Sequence, residues 1–118
     1  NVYSNNVNNS NGKGGGIYLT NSSFNTIVSN VYYNSAAHGG GLYLPNSTSN
    51  TISGSVYNNT AVFGGGVYLI NSDYFTNTGW ITNNHANVSG GGVYTNGSHA
   101  NSYFGNVISN TPNNFNTN

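Results

Sequence analysis

Very few residues in this chain could do chemistry. Its 118 residues hold one lysine (Lys13), no arginine, one carboxylate side chain (Asp73), three histidines and no cysteine or methionine. Glycosidic-bond cleavage by paired carboxylates and a calcium cage of acidic oxygens both need more than one carboxylate. A serine–histidine–aspartate relay would have to use Asp73, and no spacing in the chain sets it beside a particular histidine. His38, His85 and His99 could ligate a metal as neutral imidazoles. However, His38 precedes a glycine triplet, His85 follows an asparagine and His99 lies in a loop. They read as exposed turn histidines. The expectation is a protein that is no enzyme, carries no metal and needs no cofactor.

Two other residue sets could carry function. Asn-x-Ser/Thr sequons begin at Asn8, Asn21, Asn46, Asn58, Asn87 and Asn96. In a chain this rich in Asn, Ser and Thr, several would arise by composition alone; their other reading is N-glycosylation of a surface protein. Tyr18, Tyr43, Tyr68 and Tyr94 recur at a fixed interval. A row of such rings is either a packed exterior ladder or a surface for sugars. One lysine cannot neutralise a run of phosphates, which argues against a nucleic-acid partner and against recruitment to an acidic membrane. No apolar run reaches the roughly 18–20 residues of a spanning helix, so no membrane insertion is expected.

The elements that must position these residues follow from repetition. GGGIYL at 14–19 returns as GGGLYL at 39–44, GGGVYL at 64–69 and GGGVYT at 90–95. In rows of about 25 residues, columns appear. Ile17, Leu42, Val67 and Val93 form one; Leu19, Leu44, Leu69 and Thr95 lie two places on, with the tyrosines between. This period-two alternation is a strand with aliphatics on one face. A second block reads NTIV at 25–28 and NTIS at 50–53, then degenerates to FTNT at 75–78 and NSYF at 101–104. A third holds Val31, Val56, Ile81 and Val107, with Val2 in phase. Three residues beyond each stands an asparagine: Asn5, Asn34, Asn59, Asn84 and Asn110.

Each row thus predicts three short strands and three turns, and each strand should pair in parallel with its equivalent about 4.8 Å away. The fold class expected is all-β: a parallel β-helix of about four coils in a single domain over 1–118. Coils start near 14, 39, 64 and 90, after a partial coil over 1–13 and before an irregular tail over 111–118. The inward aliphatics would fill the core. Glycine triplets would permit sharp turns and close backbone approach. The asparagine column, Asn34, Asn59, Asn84 and Asn110, would stack its amides as a structural ladder. Tyr18, Tyr43, Tyr68 and Tyr94 would form an exterior stripe. Thr26, Thr51, Thr76 and Ser102 make only a single file, which leaves an ice-binding array as a weak third choice behind structural and binding roles.

GGGxYL followed by NTISGSVYNNTA and another GGG resembles the repeat of adhesin-like and polymorphic outer-membrane proteins. The likeness covers Val2 to Asn110 and is clearest over 39–70. It implies a right-handed parallel β-helix at an extracellular or cell-surface location. It implies no particular activity, since such repeats are defined by their scaffold.

The ends carry a further expectation. No capping segment is evident, and NVYSNN at 1–6 and GNVISN at 105–110 stand in the same phase of the repeat. NFNT at 114–117 also echoes SFNT at 23–26. A unit open at both edges could add to copies of itself, and such heterologous contacts propagate into fibres. The simpler alternative is a portion of a longer protein whose coils continue. The function expected is a structural subunit of an extracellular filament, sheath or surface layer, with itself as partner head to tail and laterally, carrying covalent glycans. The alternative is an adhesin segment that binds glycan or receptor through its tyrosine stripe or loops such as 7–13.

Overall fold

In a computed structural model, which describes residues 1–116, every strand pairs in parallel with its counterpart one row away. The protein is a β-solenoid of about four turns. Three sheets run along it. The first, led by the glycine triplets, contains Ile17–Tyr18, Leu42–Pro45, Val67–Ile70 and Val93–Asn96. The second contains Thr26–Ile27, Thr51–Ile52, Thr76–Asn77 and Ser102–Tyr103. The third, the valine sheet, contains Val2–Tyr3, Val31–Tyr32, Val56–Tyr57, Ile81–Thr82 and Val107–Ile108. Register follows the columns: Leu42 pairs with Val67, Leu44 with Leu69, and Val31 with Val56.

Three strands per coil is not the whole arrangement. Thr60–Phe63 and His85–Ser89 form a fourth, two-stranded parallel sheet between the valine sheet and the next glycine triplet. Ala61 pairs with Ala86, but Phe63 pairs with Ser89, so Asn87 and Val88 together face Val62. One inserted residue therefore bulges here. It accounts for the 26-residue step between the triplets at 64 and 90, since the extra residue leaves the ladder locally instead of shifting later strands.

The corners show why these sequences turn. Each coil bends at residues with φ in the left-handed region, stacked in four files. One file is Gly14, Gly39, Gly64 and Gly90; another is Asn21, Asn46, Asn71 and Gly97. Glycine and asparagine adopt this conformation at least cost. The middle glycine of a triplet answers to a different constraint. A Cβ on Gly65 would sit 2.5 Å from the His85 carbonyl oxygen and 2.6 Å from that of Gly91, so only glycine lets adjacent coils close there.

The core is a narrow column. Val31, Leu42, Leu44, Ile52, Val56, Val67, Leu69, Phe75, Ile81 and Val93 are fully buried and mutually packed. At roughly 1.5–3 kcal/mol for each buried aliphatic side chain, this column is the main apolar contribution to holding the coils together.

The FTNT segment keeps its register but exchanges polarity. Thr76 pairs with Thr51 and Asn77 with Ile52. Phe75, which aligns with Asn25 and Asn50, is buried in the core, and Asn77 occupies the inward place of Ile27 and Ile52.

The tail is not irregular throughout, and one edge is covered. Phe115 pairs with Val93, the Val93 N–H donates to the Asn114 carbonyl (2.8 Å), and the Asn116 N–H donates to the Val93 carbonyl (3.2 Å). Asn116 Oδ1 accepts the Thr95 N–H at 2.9 Å, and Asn113 Oδ1 accepts that of Gly90 at 2.7 Å. At the first sheet alone, this corrects the expectation that no segment covers the edge of the coils. The echo of SFNT in NFNT is not realised either, because Phe115 takes the place of a first-sheet residue. The path from Asn110 to Phe115 spans fewer residues than the Asn84–Val93 path, so the tail reaches that sheet early. The last two residues of the chain, and the remainder of that echo, lie outside the described residues.

Candidate functional site

The asparagine column forms one continuous hydrogen-bonded file. In each rung the main-chain N–H and the Nδ2 of one asparagine both donate to Oδ1 of the next. Asn5 donates to Asn34 at 3.0 and 3.0 Å, Asn34 to Asn59 at 2.9 and 3.1 Å, and Asn59 to Asn84 at 3.0 and 3.0 Å. Asn84 donates to Asn110 at 2.9 and 3.0 Å. The second amide hydrogen reaches back to main chain, from Asn59 to the Val31 carbonyl and from Asn84 to the Val56 carbonyl, both at 2.9 Å. Asn34, Asn59, Asn84 and Asn110 are all buried, so each rung satisfies polar groups that water cannot reach.

A serine file, not singled out in the sequence, does similar work at another corner. Ser22 N donates to Ser47 Oγ (3.0 Å), Ser47 N to Ser72 Oγ (2.9 Å) and Ser72 N to Ser98 Oγ (2.8 Å). The recurring NS dipeptides were its signal, and they read equally well as turn composition.

The tyrosine file of the first sheet is not an exterior stripe along its length. Tyr18 is half exposed, but Tyr43 and Tyr68 are only 6% and 8% exposed. The reason is the chain segment before each triplet, which lies over the rings. His38 sits 5.6 Å from the Tyr68 ring and 6.5 Å from Tyr43, Phe63 packs edge-on against Tyr94, and Lys13 Nζ stands 5.6 Å from the Tyr43 ring centre. Burial, with the neighbouring Tyr68 and Tyr18 adding, pushes the Tyr43 hydroxyl above its usual pKa.

A second tyrosine file lies on the valine sheet, with Tyr3 and the adjacent Tyr33 exposed and Tyr32 and Tyr57 half-buried. Tyr3, Tyr32 and Tyr57 stack nearly parallel with centroids 5.1 and 4.9 Å apart, and Tyr33 packs edge-on beside them. Their signal was the tyrosine directly after Val2, Val31 and Val56, overlooked because valine alone marked that column. Stacked face to face, these rings turn mainly their edges outward, whereas sugars pack on ring faces.

The histidines are dispersed. His38 is partly buried, not an exposed turn residue: its ring stacks on Phe63 at 5.9 Å, and its Nδ1 is buried without a hydrogen-bond partner. The cause is again the fourth sheet, which continues past Phe63 and pairs it with His38. His85 and His99 are exposed. His85 Nδ1 lies 2.8 Å from Thr111 Oγ1, and His99 Nδ1 lies 3.4 Å from Asp73 Oδ1. Among the described residues, no three His, Cys, Asp or Glu side chains come together as a metal site.

The sequon asparagines lie at the surface. Asn8, Asn21, Asn46, Asn87 and Asn96 are exposed, and Asn58 is half-buried at a left-handed corner. A shallow groove runs beside Asn87, floored by Ala36 and Ala61 and rimmed by Asn6, Val7 and Asn9; no titratable side chain lines it.

No curated protein and no solved structure matches the chain. A family model does, over residues 1–117, and the chain belongs to that family, the periplasmic copper-binding protein (NosD) family.

Proposed function

We propose that the chain is a non-catalytic building block of an assembly outside the cytoplasm: a filament, sheath or surface layer in which the coils of one copy extend those of the next. The family's periplasmic description supports a location outside the cytoplasm. The adhesin-like repeat pattern in GGGxYL…NTISGSVYNNTA is the reason to place the assembly at the cell surface. The observation that carries the reading is the one-way polarity of the asparagine file. Every rung donates in the same direction, so the file has a donating end and an accepting end, as a unit that adds to itself requires. Exposed sequons would keep such a nearly uncharged surface hydrated if they carry glycans.

Copper, which the family description also names, does not fit the side chains of this chain. There is no thiolate or thioether donor. His38 is held in an aromatic stack, and His85 and His99 each have a different neighbour. No step of the proposed function runs through a metal.

A second reading is an adhesin segment. The groove over Ala36 and Ala61, rimmed by neutral amides, favours it. Electron microscopy of the purified chain separates the two. A building block gives fibres with a 4.8 Å axial repeat. A monomer retained on a glycan column would displace that reading in favour of the adhesin.

A further inference from the structure

The asparagine file closes on itself at one end and stays open at the other. Asn110 is buried, and its N–H and Nδ2 are the donors that a further coil would satisfy. They are satisfied from four residues away: both reach Asn114 Oδ1, each at 3.1 Å. Asn114 thus reproduces the two-pronged rung that other members of the file receive from a residue 25–29 positions distant. At the opposite end Asn5 only donates, and among the described residues its Oδ1 accepts nothing.

We infer that the Asn114 carboxamide is a plug that holds the place of Asn5 of a second copy of this chain. The inference rests on the head-to-tail reading above and names the residue that governs it. Three observations carry it. First, donor meets acceptor: the N–H groups that Asn114 satisfies on Asn110 are those an unoccupied Asn5 Oδ1 would satisfy. Second, the main chain has matching polarity. The N–H groups of Val2, Val31, Val56 and Ile81 donate to the carbonyls of Asn30, Ser55, Trp80 and Asn106. The same pattern directs the Val107 N–H to the Asn1 carbonyl of a second copy. Third, the spacing agrees: Val2 stands three residues before Asn5, and Val107 three before Asn110. Strand and side-chain file therefore come into register together.

The rest of the tail need not unfold. Phe115 and Asn116 already extend the first sheet by pairing with Val93 and bonding to Thr95. The valine-sheet edge at Val107–Ile108 has no further strand beside it among the described residues. Swinging out one side chain frees the site. Without the plug, the Asn110 Nδ2 keeps the Ile81 and Ile108 carbonyls, but the buried main-chain N–H of Asn110 loses its acceptor, so solitary units keep the plug and contacting units exchange it.

The test is a concentration series of the full chain by sedimentation velocity and electron microscopy, with circular dichroism to check folding. It compares wild type, Asn114→Ala, Asn5→Ala and the double variant. Asn114→Ala should assemble at a concentration at least about tenfold lower than wild type, the change expected for one hydrogen-bonded contact. Asn5→Ala should cancel that gain. If Asn114→Ala loses its fold, Asn114→Gln is read the same way, since its longer arm carries the amide off Asn110. A folded variant that assembles no more readily than wild type overturns the plug, as does assembly of Asn114→Ala that ignores Asn5. If wild type forms fibres and none of these variants shifts the threshold, the building-block reading survives alone. If nothing assembles, both fall. If only the unplugged variant assembles, and through Asn5, the plug stands and the wild-type chain is not by itself a filament former.

Discussion

Two asparagine files climb this solenoid, and only one is unbroken. Beside the valine sheet, Asn5, Asn34, Asn59, Asn84 and Asn110 form five successive members. Beside the threonine strands, Asn25 donates twice to Asn50 Oδ1, and the next position is Phe75; Asn101 follows and still accepts the Phe75 N–H at 2.9 Å. The interrupted file has not lost its register. Thr76 remains paired with both Thr51 and Ser102. The difference shows that main-chain pairing holds coil upon coil, while the side-chain files satisfy whatever each corner buries. Where Phe75 turns a polar corner into core, Asn77 is left with its Oδ1 buried and unpaired, and only its Nδ2 finds a partner, the Gly79 carbonyl at 3.0 Å.

That contrast can be broken most severely at Phe75. Phe75→Ala should cost about 3–5 kcal/mol in chemical denaturation, because a fully buried ring leaves a cavity its neighbours cannot close. Phe75→Asn, which restores the file, should recover less than half of that loss, since Asn77 would remain in the aliphatic place.

In the continuous file, Asn59→Ala strips the acceptor from the Asn34 N–H and the donor from the Val31 carbonyl. Each orphaned buried group costs about 1–3 kcal/mol, so about 2–4 kcal/mol is expected for the substitution. Asn25→Ala, at an exposed position, should cost under about 1 kcal/mol. Equal losses at the two sites would contradict the distinction between a buried file and a peripheral one.

Alkaline titration probes the second sheet, which ends in Ser102–Tyr103. Burial pushes the Tyr103 hydroxyl up to about 12. The folded state therefore keeps this proton where the unfolded chain releases it, near pH 10. Stability is full below pH 10 and falls as pH rises toward 12, by about 2–3 kcal/mol. Tyr103→Phe should flatten much of that slope in melts followed at increasing pH.

The smallest effect expected is a gain. Asn77→Leu removes the unpaired buried oxygen and rebuilds the aliphatic column beneath Ile52. It should stabilise the fold by up to about 1 kcal/mol, after loss of the bond to Gly79 is set against it. A loss above 1 kcal/mol would mean that the site is better satisfied as asparagine than its hydrogen bonds indicate.

Much of the fold was legible because stacking converts periodicity into contact. Leu44 over Leu69 and Val31 over Val56 follow from a repeat of 25, since parallel rows place equivalent residues together. Asparagine three places after each valine was legible as a file for the same reason. The fourth sheet was harder to see. Ser35, Thr60 and His85 share little chemistry, and what aligns them is main-chain pairing, which any side chain permits. The error over Tyr43 and Tyr68 follows from this omission: alternation told which way the rings point, but the segment that covers them was read as a turn. The missed Tyr3–Tyr32–Tyr57 stack had a pattern as regular as the one chosen, so that was a failure of weighting, not of signal.

The amino-acid sequence by itself determined the coil: its length, its inward columns, its parallel register and its scarcity of carboxylate and basic side chains. These depend on relations between residues one repeat apart, which the chain spells out. Only the tertiary structure decided what lies over a face and what closes an end. Asn114 is bonded to Asn110 and Phe115 is paired with Val93 because the tail reaches the next position early. No period announces such contacts. They arise where the tail departs from the repeat, and there the partner of each residue is set by the path of the chain through space.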